Sequence, residues 1–155
     1  MAEYKQVKNL TPVQSAYIAG LVDGEGTITL TRKHRSENRR LALTVSSTER
    51  KLLEYVLEVV GAGIITNKRV YRSHHRASWT YQIFNRQALD LLRQIASHLN
   101  TYKANRAALV LKQYILLTPR NGKYSVEMKE KREAFVQNFF EVLPEIKVEG
   151  NPQVL

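Results

Sequence analysis

Ala16, Gly20 and Gly24 recur at every fourth position of one apolar stretch, and no other feature of the sequence restricts the fold as tightly. Thr11-Pro12 reads as an N-cap and first helical residue. The helix then runs through residues 13–22 and is expected to stop near Asp23-Gly24. Small residues at this spacing leave one helical face nearly smooth. A glycine inside a helix costs about 1 kcal/mol relative to alanine, so the placement implies a close contact. Small-xxx-small faces let two helix backbones approach directly. The chain has one such helix, and its natural partner is its own copy about a two-fold axis. Ala16, Ala19, Gly20, Asp23 and Gly24 are the expected contact residues.

The same helix ends in two acids, Asp23 and Glu25. Carboxylates near a helix C-terminus oppose its dipole, so a cation or a binding role is implied. A carboxylate and a backbone carbonyl are ligands that Mg²⁺ favours, together with phosphate oxygens and water. Gly24 and Gly26 allow close backbone approach and a sharp exit. A two-fold axis would bring two such ends together, as two-metal phosphodiester hydrolysis requires. A core helix ending in a glycine turn with solvated acids is the plainer alternative. It accounts for a single Gly-x-Gly and not for the whole string.

The remaining pattern is α+β. Thr27-Ile28-Thr29-Leu30-Thr31 alternates in polarity and reads as a strand with one buried face. A basic turn follows, and Leu41-Ala42-Leu43-Thr44-Val45 returns as a second strand. Ser47-Thr48-Glu49 caps a helix striped by Leu52, Leu53, Val56, Leu57 and Val60. Gly61 follows as its C′ residue. Residues 64–72 and 78–84 read as a second hairpin. A third helix carries Leu89, Leu92 and Ile95, a fourth spans 104–117 and a last spans 125–142. The order α-β-β-α-β-β-α predicts a four-stranded antiparallel sheet backed by helices on one face. Residues 1–11 are expected to form a loosely held arm, 12–145 a single domain and 146–155 a frayed tail.

The formal net charge is +10, which calls for a polyanionic partner. No run of about 18 apolar residues exists, and no polybasic amphipathic helix suggests a membrane surface. No signal peptide is visible and there are no cysteines, so an intracellular setting is expected, in a prokaryotic cytoplasm or a eukaryotic organelle. The cations concentrate in the hairpins: Arg32, Lys33, Arg35, Arg39 and Arg40 in the first, Lys68, Arg69, Arg72 and Arg76 in the second. Edge strands carry cations to prevent aggregation, but that explains only a few of these. If Ile28 and Leu30 face the core, Thr27, Thr29, Thr31, Lys33 and Arg35 face away. A two-stranded ribbon with such a face fits the major groove of double-stranded DNA. Arg40 and Thr44 join that face from the second strand. Thr66, Lys68, Arg72, Arg76, Thr80 and Gln82 are its counterparts in the second hairpin. His74-His75 chelates poorly because neighbouring strand residues point to opposite faces.

Ile18-Ala19-Gly20-Leu21-Val22-Asp23-Gly24-Glu25-Gly26 resembles the LAGLIDADG signature of homing endonucleases at all nine positions, with conservative exchanges. The resemblance covers roughly residues 12–117. It implies a homodimer with paired motif helices, each sheet forming half of a saddle over a long, nearly palindromic DNA site. It further implies site-specific, double-strand cleavage with a divalent metal, Mg²⁺ or Mn²⁺, held by Glu25 and the Gly24 carbonyl. Lys103 matches a lysine that often lies near the scissile phosphate, and an ordinary helix-start lysine is the equal alternative. Where many homodimeric members carry a polar residue such as Gln, this chain offers Ser46 and Ser47, with Ser47 as the catalytic candidate. Arg50 is a nearby active-site cation or a solvated helix residue. Other proteins of this fold act as intron RNA maturases or as non-cleaving DNA-binding regulators, and retention of Glu25 favours cleavage over both. A structural basic protein of an RNA assembly, which needs no metal, is the remaining alternative.

Overall fold

The computed structural model describes residues 3–68 and 76–146. Helix α1 (Pro12–Glu25) leads without a loop into strand β1 (Gly26–Thr31), which returns as β2 (Arg40–Ser47). Helix α2 (Arg50–Val60), strands β3 (Ile64–Asn67) and β4 (Trp79–Phe84), and helix α3 (Asn85–Ile95) follow. Helices α4 (Tyr102–Gln113) and α5 (Val126–Glu141) complete the chain, with short 3₁₀ turns at Ala96–His98 and Ile115–Leu117. The strands form one antiparallel sheet in the order β1-β2-β4-β3. The α+β class and the element order are those expected from the sequence.

Local chemistry sets the helix ends. The Thr11 hydroxyl accepts the Gln14 N–H at 3.2 Å, and the Gln14 side chain accepts the Thr11 N–H at 3.0 Å, a reciprocal cap. Helix α1 continues to Glu25, past the expected stop, and the Gly26 N–H donates to Val22 O. Gly26 has ordinary extended backbone angles, so its need for glycine is steric. A Cβ there would lie 2.6 Å from Val22 Cα and 3.0 Å from Thr44 O. Helix α2 ends at Gly61 in the left-handed conformation (φ 77°), as expected for a C′ glycine. Helix α4 starts two residues earlier than expected and gives way to the 3₁₀ turn before Leu117.

Strand alternation divides the sheet cleanly. Ile28, Leu30, Leu41, Leu43, Val45, Tyr81 and Ile83 point inward against Ile18 and Val22 of α1, Leu53 and Val56 of α2, and Leu89 and Leu92 of α3. Each fully buried aliphatic side chain contributes roughly 1.5–3 kcal/mol. Ala19 belongs to this core with 0% exposure, which corrects its expected place on the self-pairing face. One residue of helix turns a side chain by about 100°, which carries Ala19 away from Gly20 and toward the sheet.

The N-terminal segment is not the loosely held arm expected. Lys8 N–H donates to Val60 O at 2.9 Å, and Gln94 accepts from Leu10 N–H at 2.8 Å while donating to Lys8 O. The Gln87 side chain donates to Lys5 O at 2.6 Å. Residues 147–155, expected as a frayed tail, lie outside the described residues.

Strand β1 has β2 on one side only. On its other side two arginines occupy its carbonyls: Arg106 donates to Ile28 O at 3.0 Å and Arg39 to Leu30 O at 3.1 Å. Helix α5 backs both, with Phe139 4.8 Å from the Arg106 guanidinium and Phe140 5.0 Å from that of Arg39. Arg132 of α5 donates to Arg39 O at 2.6 Å and also to Leu117 O.

Candidate functional site

Among the described residues the helices pack on the inward face of the sheet, and the composition of the outward face follows from register. Thr27 pairs with Thr44, Thr29 with Ala42 and Thr31 with Arg40. Thr44 continues to Gln82 and Ile64, and Ser46 continues to Thr80 and Thr66. Paired residues share a face, so Thr27, Thr29, Thr31, Arg40, Thr44, Thr66 and Gln82 form one polar surface, as sequence parity predicts. The parity of β4 is thereby set, with Thr80 and Gln82 opposite Trp79, Tyr81 and Ile83.

Three expectations change in detail. Thr80 is only 7% exposed, and its hydroxyl shares a 2.8 Å hydrogen bond with Ser46. It shapes the surface more than it offers a free group. Strand β1 ends at Thr31, so Lys33 and Arg35 belong to the connecting turn, where they are exposed, and strand parity does not govern them. Arg39 is spent on Leu30 O rather than on the polar face. Arg40 lies over Phe84, with its guanidinium 4.0 Å from the ring centroid. Lys68 and Arg76 are exposed. Arg72, with Arg69, His74 and His75, lies outside the described residues.

At one end of this face lies the C-terminus of α1. Glu25 is exposed and lines a cleft of about 460 Å³ with Ser46, Ser47, Thr48, Lys68 and Ser78, among others. Its neighbour Asp23 is committed elsewhere. The Asp23 carboxylate accepts from the Thr101 hydroxyl at 2.5 Å, the Thr101 N–H at 3.2 Å and the Asn100 N–H at 2.8 Å. It therefore holds the segment that starts α4. Burial alone would raise the Asp23 pKa, but these three hydrogen bonds and the Lys103 charge outweigh it and hold the carboxyl below its ordinary range.

Lys103 returns the contact. It is 8% exposed, and its ammonium donates to Val22 O at 2.8 Å and Asp23 O at 2.9 Å. A cation on the last carbonyls of a helix offsets the dipole that Asp23 and Glu25 oppose. Burial pushes the Lys103 ammonium below its ordinary range, while Asp23 and Glu25 pull it back up. Lys103 thus caps the acidic end of α1, with two of its three protons placed. Ser47 lines the cleft, and its hydroxyl accepts the Glu49 N–H at 2.9 Å. Arg50 is turned to Glu54, at 2.9 Å.

The donors suit a hard divalent cation. Glu25 supplies an open carboxylate and the adjoining Gly24 lies on the exposed side of the helix end, so the available ligands are oxygens. Among the described residues no three acids or histidines gather to form a closed site. One chain would leave most coordination positions to phosphate, water or a second copy.

A family model for LAGLIDADG endonucleases matches residues 18–125. The chain belongs to the LAGLIDADG endonuclease family. Solved structures share the fold. The homing endonuclease I-CvuI in complex with its target aligns at a TM-score of 0.69 and 20% identity, covering 88% of this chain and 85% of that one. The archaeal intron-encoded homing endonuclease I-Vdi141I complexed with DNA aligns at 0.58 and 13% identity, covering 90% and 89%. The meganuclease I-SmaMI bound to DNA aligns at 0.63 and 17% identity over 84% of this chain and 45% of that one. No curated protein matched the chain. In this LAGLIDADG chain, the motif helix presents Val13, Ala16, Tyr17, Gly20 and Gly24 as an exposed face, and a Cβ built on Gly20 or Gly24 meets nothing within 4 Å.

Sequence reasoning missed the Asp23–Thr101 contact and the internal work of Arg39, Arg106 and Arg132. Thr101 carries the usual mark of an N-cap, and its hydroxyl accepts the Lys103 N–H. That mark locates a helix start but not the carboxylate that meets it.

Proposed function

We propose that this chain is a homodimeric, intron-encoded homing endonuclease that cleaves both strands of a long, nearly palindromic DNA site with a divalent metal. The observation that carries the proposal is the contrast between two neighbouring acids. Asp23 has its oxygens engaged within the chain, while Glu25 stands exposed in a cleft at the end of the polar sheet face. A duplex lying along that face would bring a backbone phosphate to the cleft.

The exposed face of α1 supports pairing with a second copy, which would bring two Glu25 side chains together. Ala16, Gly20 and Gly24 leave room for backbone approach, and Val13 is 79% exposed in the single chain. Glu25 and the Gly24 carbonyl would hold the metal. When bound, Mg²⁺ or Mn²⁺ supplies Lewis-acid stabilisation of phosphate charge and a more acidic water. The protein's own part is placement. Lys103 fixes the end of α1, Asp23 fixes the start of α4, and Ser46 and Ser47 offer hydroxyls to order water in the cleft. Thr27, Thr29, Thr31, Thr44 and Gln82 present groups that can read base edges, and Arg40, Lys33, Arg35 and Arg76 supply charge for phosphates.

The test compares wild type with Glu25→Gln on a duplex recovered from a randomised library by binding selection. Wild type with Mg²⁺ is expected to cut both strands. The variant should bind with similar affinity and cut about 10³-fold more slowly. Equal cutting by both proteins would overturn the role of Glu25. Binding without cutting by wild type would replace the endonuclease with a non-cleaving DNA-binding protein.

A further inference from the structure

Hydrolysis of a phosphodiester joins a water oxygen to phosphorus, breaks one phosphorus–oxygen ester bond and leaves the water proton on the released alkoxide. Negative charge builds on the phosphoryl oxygens in between, and a cation aimed there accelerates the step. Lys103, Arg50 and Lys68 are the candidates. Lys103 has its ammonium buried on Val22 O and Asp23 O. Arg50 is paired with Glu54. Lys68 is exposed and lines the same cleft as Glu25, Ser46 and Ser47.

Register explains how Lys68 comes to face Glu25. Gly26 pairs with Val45 at the end of the ladder, and Glu25 is the last residue of α1 beside that pair. Ser46 pairs with Thr80, and Thr80 with Thr66. The ladder runs on past that row, because Lys68 N–H donates to Ser78 O at 2.9 Å. Lys68 is two residues after Thr66, on the same polar face and one row further toward the α1 end. Strands lie about 4.8 Å apart, so three spacings separate β1 from β3 by roughly 14 Å, and the offset of Lys68 along its strand adds to this. Both residues line the cleft between them.

We propose that Lys68 contacts the scissile phosphate and stabilises the charge that develops on it during cleavage. This rests on the endonuclease reading. The experiment measures single-turnover cleavage of the library-selected duplex in Mg²⁺ and, separately, its affinity in Ca²⁺. Lys68→Met should slow cleavage about 10²–10³-fold while weakening binding by no more than about tenfold. Lys68→Arg should recover most of the rate. Lys68 is exposed, so both variants should keep the wild-type melting temperature. Wild-type cutting by Lys68→Met overturns the inference alone, as does a rate loss that saturating duplex abolishes. Absence of cutting by wild type overturns the endonuclease reading and this inference with it.

Discussion

Asp23 and Lys103 tie α1 to the start of α4 in both directions: the Asp23 carboxylate accepts the Asn100 and Thr101 amides just before α4, and the Lys103 ammonium donates to the Val22 and Asp23 carbonyls at the end of α1. The two contacts close a ring that fixes the backbone from which Glu25 projects. Asp23→Ala should lower stability by about 1–3 kcal/mol, the order expected for losing hydrogen bonds to a charged group. A urea titration of the purified variant reads this directly.

The same carboxylate gives an acid-side signature. The Asp23 pKa is lower in the folded chain than its ordinary value of 3.8. Its contribution is therefore present above that value and is lost as pH falls through the lowered folded value. The stability gap between wild type and Asp23→Asn should be constant near neutrality and shrink below about pH 4. Thermal melts across that range check it. A gap that widened toward acid would contradict the assignment.

Gly20→Leu separates assembly from folding. The position is open within one chain, so the fold should survive with little change in the monomer. Overpacking a close helix contact costs about 1–3 kcal/mol per site, and a two-fold interface carries the site twice. Sedimentation is expected to show wild type as a dimer and the variant as a monomer. A variant of unchanged dimer mass would remove α1 from the interface.

Gly26→Ala is the opposite case. The added methyl meets backbone atoms of Val22 and Thr44, which cannot step aside as a side chain can. We expect a loss of about 1–3 kcal/mol. Gly24→Ala in the isolated chain should cost nothing comparable, since no atom lies within 4 Å. Denaturation midpoints of the two single variants, measured below the dimer dissociation constant, provide the comparison.

Arg106→Met should release Ile28 O and Val142 O together. Hydrogen bonds to charged groups are worth about 1.5–3 kcal/mol, so the variant should be destabilised by that order. Hydrogen exchange should report it most strongly in β1 and α5.

Much of this was legible because it is local. Thr11-Pro12 marks the start of α1, Gly61 marks the end of α2, and alternation from Thr27 to Thr31 settles which residues meet the core. What stayed hidden depends on partners far apart in sequence. Asp23 and Thr101 are 78 residues apart, and nothing at either position names the other. Ala19 is small enough for a helix contact or for the core, and only its angular position decides. Arginines report charge in a sequence but not direction. Arg39, Arg106 and Arg132 look like parts of a nucleic-acid footprint and turn out to be fastenings of β1 and α5.

The polar face and the core share the same strands but no side chains. The side chains of Thr29, Thr44 and Gln82 lie on the opposite side of the pleat from those of Ile28, Leu43 and Ile83. Recognition can therefore drift while folding stays under separate selection. Under the proposed reading, a lineage could acquire a new target by a few exchanges on one face, with each intermediate still folded.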